Sequence, residues 1–172
     1  MDPFDVLKFC PKCGKSAWEN KHANMRVCRS CGYEMYKNPT IGGAALIFDQ
    51  QDRLLAVRRT KEPAKGTLHL PGGFCEAGEC IEDAVKREVR EETNLEISLG
   101  KYLFSIPNHY EYKGVELYPL DFFFEAKIKD TERLLPDKSE NSEILFIPRR
   151  EINIDAFGLE SVKAALQRYL GR

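Results

Sequence analysis

At 172 residues, 42% of them hydrophobic, the chain has apolar material for one ordinary core plus a small appendage, which excludes a fibrous or wholly disordered protein. A formal net charge of −1 gives no global field toward nucleic acid or an anionic membrane. The opening MDPFDVLKFC lacks a basic segment followed by an apolar run, and no stretch approaches the roughly 18 apolar residues of a membrane span. The expectation is a cytoplasmic protein with no membrane partner.

Two near copies come first, CPKCG and CRSCG, which place Cys10, Cys13, Cys28 and Cys31 in pairs, each pair followed by glycine (Gly14, Gly32). In a reducing compartment paired Cys-x-x-Cys motifs hold metal more often than they form disulfides. Four thiolates presented by two tight turns select a structural Zn²⁺, and a segment this short buries too little surface to fold without it. His22 lies between the pairs and is read as a solvated loop residue. Around the knuckles Lys8, Lys12, Lys15, Lys21, Arg26, Arg29 and Lys37 outnumber Glu19 and Glu34. That excess is either a surface for phosphates or a solvated face that offsets four thiolates. Pro39 then forces Asn38 to extend, so the expected domains are a ribbon over 1–37 and a second domain over 38–172.

Within the second domain IGGAALIFDQQDRLLAVRR reads as two apolar strands joined by a polar turn over Asp49 to Asp52. A forced bend follows at Pro71-Gly72-Gly73, where backbone is free to approach a ligand. A helix is expected over Ile81 to Thr93, then strands over Tyr102 to Ile106, Leu117 to Ala126 and Ile144 to Ile147. The closing FGLESVKAALQRYL is spaced as an amphipathic helix. Cys75 and Cys80 suit neither knuckle and are read as inert thiols, and lone His69 and His109 as structural.

The helix from Ile81 carries an anomaly. Ile81, Ala84, Val85 and Val89 make its apolar stripe, and at 3.6 residues per turn Glu88 and Glu92 point along that stripe with Glu91 flanking it. Helix geometry alone leaves two readings open. In one the acids emerge into solvent and pair with Lys86 or Arg87; in the other they surround Mg²⁺ or Mn²⁺, because a hard cation neutralises crowded carboxylates more closely than single-charge side chains. The Gly-rich bend ahead of the helix favours the ion.

The pattern Gly73-x5-Glu79-x7-Arg87-Glu88-Val89-x-Glu91-Glu92-x-Asn94-Leu95 closely resembles the signature of Nudix hydrolases. Asn94 stands where the signature has Gly, a position Asn also fills well at a helix end. With the cysteines ahead of it, the chain resembles the zinc-ribbon branch that includes NADH pyrophosphatases. The resemblance implies an α/β fold, a mixed sheet sandwiched between helices in an α/β/α arrangement, and metal-dependent hydrolysis of a nucleoside diphosphate linked to another moiety. It also implies that Glu88, Glu91 and Glu92 bind metal or act as base, joined by the Gly73 carbonyl. Arg87 would orient the glutamates and Glu79 would ligate or position. A late-loop acid is taken as Glu140 rather than Glu143, by its distance from Phe146. NADH-cleaving members carry S-Q-P-W-P-F-P after the box, where this chain has SIPNHYEY; Ser105 and Pro107 fit and the aromatic positions do not. A dinucleotide or nucleotide sugar such as NADH, ADP-ribose or FAD is the expected partner, with Tyr110 and Tyr112 as candidates to stack on a base. The rival readings are a nucleic-acid-binding or regulatory ribbon with a nucleotide-sensing domain, a hydrolase of nucleotide-capped RNA, and a ribbon serving homodimer formation.

Overall fold

A computed structural model describes residues 1–129 and 141–171. They divide into two compact units, one formed by Met1–Pro39 with Tyr110–Leu117, the other by Thr40–His109 with Tyr118–Arg172.

The smaller unit begins with a single helical turn, α1 (Pro3–Val6), whose start is capped by the Asp2 side chain accepting from the Phe4 amide at 2.8 Å. An antiparallel sheet follows, β1 (Trp18–His22), β2 (Met25–Cys28) and β3 (Glu34–Tyr36), in that order. So little apolar surface is available here that a cation forms part of the interior. Arg26 on β2 is 4% exposed, held between the rings of Phe4 at 4.6 Å and Trp18 at 4.1 Å. Its guanidinium donates to the carbonyls of Phe4 and Leu7 at 2.6 and 2.8 Å, which ties the first residues to the sheet. A residue counted by sequence on the basic face is therefore packed inside. Lys21 pairs with Glu19, and Lys37 with Asp2.

The larger unit contributes β4 (Ile41–Ile47), β5 (Arg53–Arg59), β6 (Leu68–His69), β7 (Gly72–Phe74), α2 (Ile81–Thr93) and β8 (Ile97–Pro107). The chain then makes a hairpin of β9 (Tyr110–Tyr112) and β10 (Val115–Leu117), which groups with the smaller unit. There the Glu116 amide donates to the Met1 carbonyl at 2.9 Å. The stretch expected as one strand from Leu117 to Ala126 is thus broken at Tyr118–Pro119, and β11 starts at Leu120 (Leu120–Ile128). Last come β12 (Asn141–Pro148) and α3 (Glu160–Leu170).

One sheet has the order β7-β4-β11-β8, with β11 parallel to β4 and the other pairs antiparallel; a second, antiparallel sheet has the order β12-β5-β6. Adjacent residues on these strands serve two cores, as the two-residue period of a strand buried on both faces requires. Ala44, Leu46, Leu54 and Phe123 join α3 residues Val162, Ala165 and Leu166 in one cluster. Ala45, Ile47, Leu55 and Phe124 join α2 residues Val85 and Val89 in the other. Helix, sheet and helix are stacked as layers, the expected mixed α/β architecture.

Helix α2 runs over the residues its periodicity predicts. It stops because Asn94 takes the left-handed conformation, φ 57°, and returns its amide to the Arg90 carbonyl at 2.8 Å. Among the described residues no helix is long and apolar enough to cross a membrane.

Candidate active site and metal centre

In the smaller unit each Cys-x-x-Cys-Gly folds as a knuckle. The amides of Gly14 and Gly32 donate to the carbonyls of Cys10 and Cys28, both at 2.8 Å, and both glycines have φ near +70° (72° and 71°), a conformation a side chain would strain. The knuckles bring Cys10 Sγ to 3.7 Å from Cys31 Sγ and Cys13 Sγ to 3.7 Å from Cys28 Sγ, and all four sulfurs lie within 4.8 Å of one another. A tetrahedral ion with metal–sulfur bonds of about 2.3 Å needs sulfurs roughly 3.8 Å apart. Two pairs have that spacing and the cysteines are unbridged, so the quartet could hold a metal ion. His22 is exposed at the end of β1 and stands outside the group, its Nδ1 accepting from the Asn24 amide. Burial opposes a thiolate at Cys28, but the amides of Ser30 and Cys31 and the neighbouring sulfurs outweigh it and bring this thiol down to about 7. At Cys31 the Tyr33 amide favours the thiolate, yet burial and the other sulfurs prevail and push it up to about 12.

In the larger unit the acids of α2 are organised by one arginine. Arg87 Nε and Nη2 meet the two oxygens of Glu79, each at 2.9 Å; Nη1 donates to Glu88 at 2.8 Å and Glu91 at 3.0 Å; and Nη2 also donates to the Phe74 carbonyl at 3.0 Å. The Glu79 contact is the main reason the guanidinium pKa rises above its ordinary value, and the Arg87 contact holds the Glu79 carboxyl below the usual carboxylate range. Glu79 also accepts from the Glu76 amide at 3.0 Å, which closes the turn before the helix.

Exposure of the glutamate side chains follows the predicted stripe: Glu88 is 15% exposed and Glu91 57%. Glu92 is buried, and its Oε2 accepts from the Gly72 amide at 2.9 Å. The bend expected at Gly72-Gly73 is a short strand, β7, laid along Gly42–Ala44 of β4. Gly73 sits so close to α2 that an added Cβ would stand 2.4 Å from the Glu88 carboxyl carbon. The backbone of β7 and the acids of α2 therefore face one another with no side chain between. The donors gathered there are all oxygen, the set a hard divalent cation takes. Arg87 and the Gly72 amide hold the carboxylates in separate places. Among the described residues, only the cysteines form a group of three or more ligand atoms within 4.8 Å.

The other candidates are placed as follows. Glu140 lies outside the described residues, and Glu143 pairs with Arg58 at 2.9 Å. Tyr110 and Tyr112 sit on β9 in the smaller unit, Tyr112 with Lys113 over its ring at 5.2 Å. His109 stacks on Tyr118, ring centroids 4.8 Å apart. Cys80 Sγ contacts Asp83 at 3.1 Å, and burial raises the Cys75 thiol. The residues that sequence reasoning left out act through backbone, namely the Gly72 amide and the Phe74 carbonyl; their only sequence signal is adjacency to Gly73.

The family model described as NUDIX domain matches residues 39–168. Relatives include an "ADP-ribose pyrophosphatase" of Methanocaldococcus jannaschii, 41% identical over 63 residues, which are 37% of each chain. A "NAD-capped RNA hydrolase NudC" of Vibrio parahaemolyticus is 27% identical over 85% of this chain and 53% of its own. The human "NAD(P)H pyrophosphatase NUDT13, mitochondrial" is 34% identical over 59% of this chain and 28% of its own. The chain spans about half or less of the length of these curated relatives. In fold it is similar to a NUDIX hydrolase of Nitrosomonas europaea, TM-score 0.77 at 23% identity, covering 95% of this chain and 90% of that one. With the domain matched over most of its residues, the chain belongs to the Nudix family.

Proposed function

We propose that this protein is a divalent-cation-dependent Nudix pyrophosphatase that cleaves the diphosphate of a nucleoside diphosphate linked to another moiety, releasing a nucleoside monophosphate and a phosphorylated partner. The observation that carries the reading is Arg87, which fixes Glu79, Glu88 and Glu91 together while Gly73 leaves room for the Glu88 carboxylate. Glu88, Glu91 and Glu92, with the Gly73 carbonyl, would hold Mg²⁺ or Mn²⁺; bound there, the ion offsets diphosphate charge and lowers the pKa of water. Glu92 is restrained by the Gly72 amide, so the α2 carboxylates and the β7 backbone keep one geometry as substrate enters. Glu79 acts through Arg87 as a positioning residue. Of the late-loop acids, Glu140 is retained as the additional base or ligand. The cysteine quartet would hold Zn²⁺ as a structural ion.

The names of the relatives support a dinucleotide or nucleotide sugar as substrate. The test is a turnover panel of NADH, ADP-ribose, FAD, nucleoside triphosphates and NAD-capped RNA, with product identification and with Mg²⁺ or Mn²⁺ added or withheld. The expected result is metal-dependent monophosphate release that falls at least about 100-fold in Glu92→Gln. That amide can still accept from Gly72, so its melting temperature should stay close to that of the parent. Full activity in Glu92→Gln, or turnover indifferent to metal, overturns the assignment.

A further inference from the structure

Asp121 is a carboxylate on the same sheet as β7 that this chemistry leaves unused. It stands second in β11, just ahead of three phenylalanines, Phe122 to Phe124. Its Oδ2 accepts from Ser161 Oγ at 2.6 Å and from Asn108 Nδ2 at 3.0 Å. Both donors are buried, Ser161 completely, in the first turn of α3. Among the described residues no cation pairs with Asp121 and its Oδ1 accepts no hydrogen bond. Burial raises this carboxyl above its ordinary value, and the two donors only partly offset that.

A tie between α3 and the sheet does not need a charge, because a neutral amide accepts the same two hydrogen bonds at lower desolvation cost. Retaining a costly carboxylate with one idle oxygen points to a partner from outside the chain. The backbone keeps that oxygen clear. Asp121 is in register with Gly42 of β4, and Oδ1 lies 2.6 Å from the point where a Cβ on Gly42 would stand. The Phe74 ring, 44% exposed, is 3.6 Å from the same point. Gly42 in turn is in register with Phe74, the residue after Gly73. Asp121 is thus two strand spacings, about 10 Å, from the glycine strand that faces the glutamates. β7 is the edge of its sheet, with Gly73 turned to α2 and Phe74 to the opposite face. A ligand with its diphosphate at the glutamates would reach Asp121 by passing over that edge.

Resting on the pyrophosphatase reading, we infer that Asp121 is a specificity-determining residue whose Oδ1 accepts a hydrogen bond from the nucleoside half of the substrate, given by a ribose hydroxyl or an exocyclic amino group. Ser161 and Asn108 hold the other oxygen and aim the carboxylate.

The experiment compares the parent with Asp121→Asn and Ser161→Ala, using ADP-ribose, its 2′-deoxy and 3′-deoxy adenosine forms and its inosine form, together with equilibrium binding of AMP. Asp121→Asn keeps the shape and can turn an N–H toward the donor. It should raise KM and the AMP dissociation constant roughly 10- to 100-fold, with kcat falling much less and the melting temperature near the parent's. The analogue that lacks the donor should bind the parent weakly and lose little more in the variant, which tells a sugar hydroxyl from a base amine. Ser161→Ala, which keeps the charge, should shift KM only a few-fold. Equal AMP binding by parent and Asp121→Asn, no binding by either, or matched losses of melting temperature and KM in both variants would overturn the inference. If AMP binds as expected while no substrate is hydrolysed, Asp121 stands and the pyrophosphatase reading falls.

Discussion

Arg87 grips Glu79 with two parallel hydrogen bonds, Nε to Oε1 and Nη2 to Oε2, each 2.9 Å, while a third nitrogen serves Glu88 and Glu91. A planar fork makes this possible, and lysine has none. Arg87→Lys should therefore keep the positive charge and lose the geometry. Steady-state kinetics should show kcat reduced roughly 100-fold with a smaller change in KM, and Glu79→Gln should reproduce part of that loss without adding to it in the double variant. Additive losses would separate the two residues.

Gly73→Ala addresses the contact from the other side. The new methyl would stand 2.4 Å from the Glu88 carboxyl carbon and 2.6 Å from both its oxygens, so the carboxylate must leave. The expected result is near-complete loss of turnover with a stability cost of about 1–3 kcal/mol, measured by chemical denaturation. Restored activity in Gly73→Ala with Glu88→Asp, where the acid is shorter, would support a steric cause.

The cysteine quartet predicts one tightly held ion per chain, with zinc as the expected metal by elemental analysis. Its removal with a strong chelator, or Cys28→Ser, should unfold β1 to β3 first. Hydrogen exchange should rise in the amides of Met25 to Cys28 while those of β4 and β11 stay protected. Uniform exposure of both sets would show that the two units melt together.

His69 sets a pH dependence of stability. Burial, aided by Arg59, lowers its pKa from 6.5 to about 3, although the Leu70 carbonyl accepts from Nδ1 and pulls the other way. Between those two values the unfolded chain takes up a proton that the folded chain refuses, so the unfolded state gains and stability falls as pH drops from about 6.5 toward 3. The residue keeps some solvent contact, so the effect is discounted to roughly 3 kcal/mol. Denaturation at pH 7 and pH 4 should show a smaller loss in His69→Gln than in the parent.

What could be read from the sequence is what local spacing determines. The stripe Ile81, Ala84, Val85 and Val89, followed by an Asn that tolerates the left-handed turn, fixed α2 over its whole length. The doubled Cys-x-x-Cys-Gly placed four sulfurs around one point. Contacts across long separations left no such trace. Arg26 looked like a surface cation because nothing nearby in sequence reveals Phe4 and Trp18 above and below it. The break at Tyr118–Pro119 was hidden because Leu117 and Leu120 continue a single apolar run. Asp121 went unremarked because its meaning depends on Gly42, 79 positions away in the chain.

The hairpin that groups with the N-terminal unit limits how this protein can be dissected or recombined. A truncation after Lys37 removes the Met1 carbonyl that the Glu116 amide meets and takes from Tyr110–Leu117 the segment it groups with. A chimera that exchanges ribbons between relatives would need to transplant two segments at once, one from each side of α2.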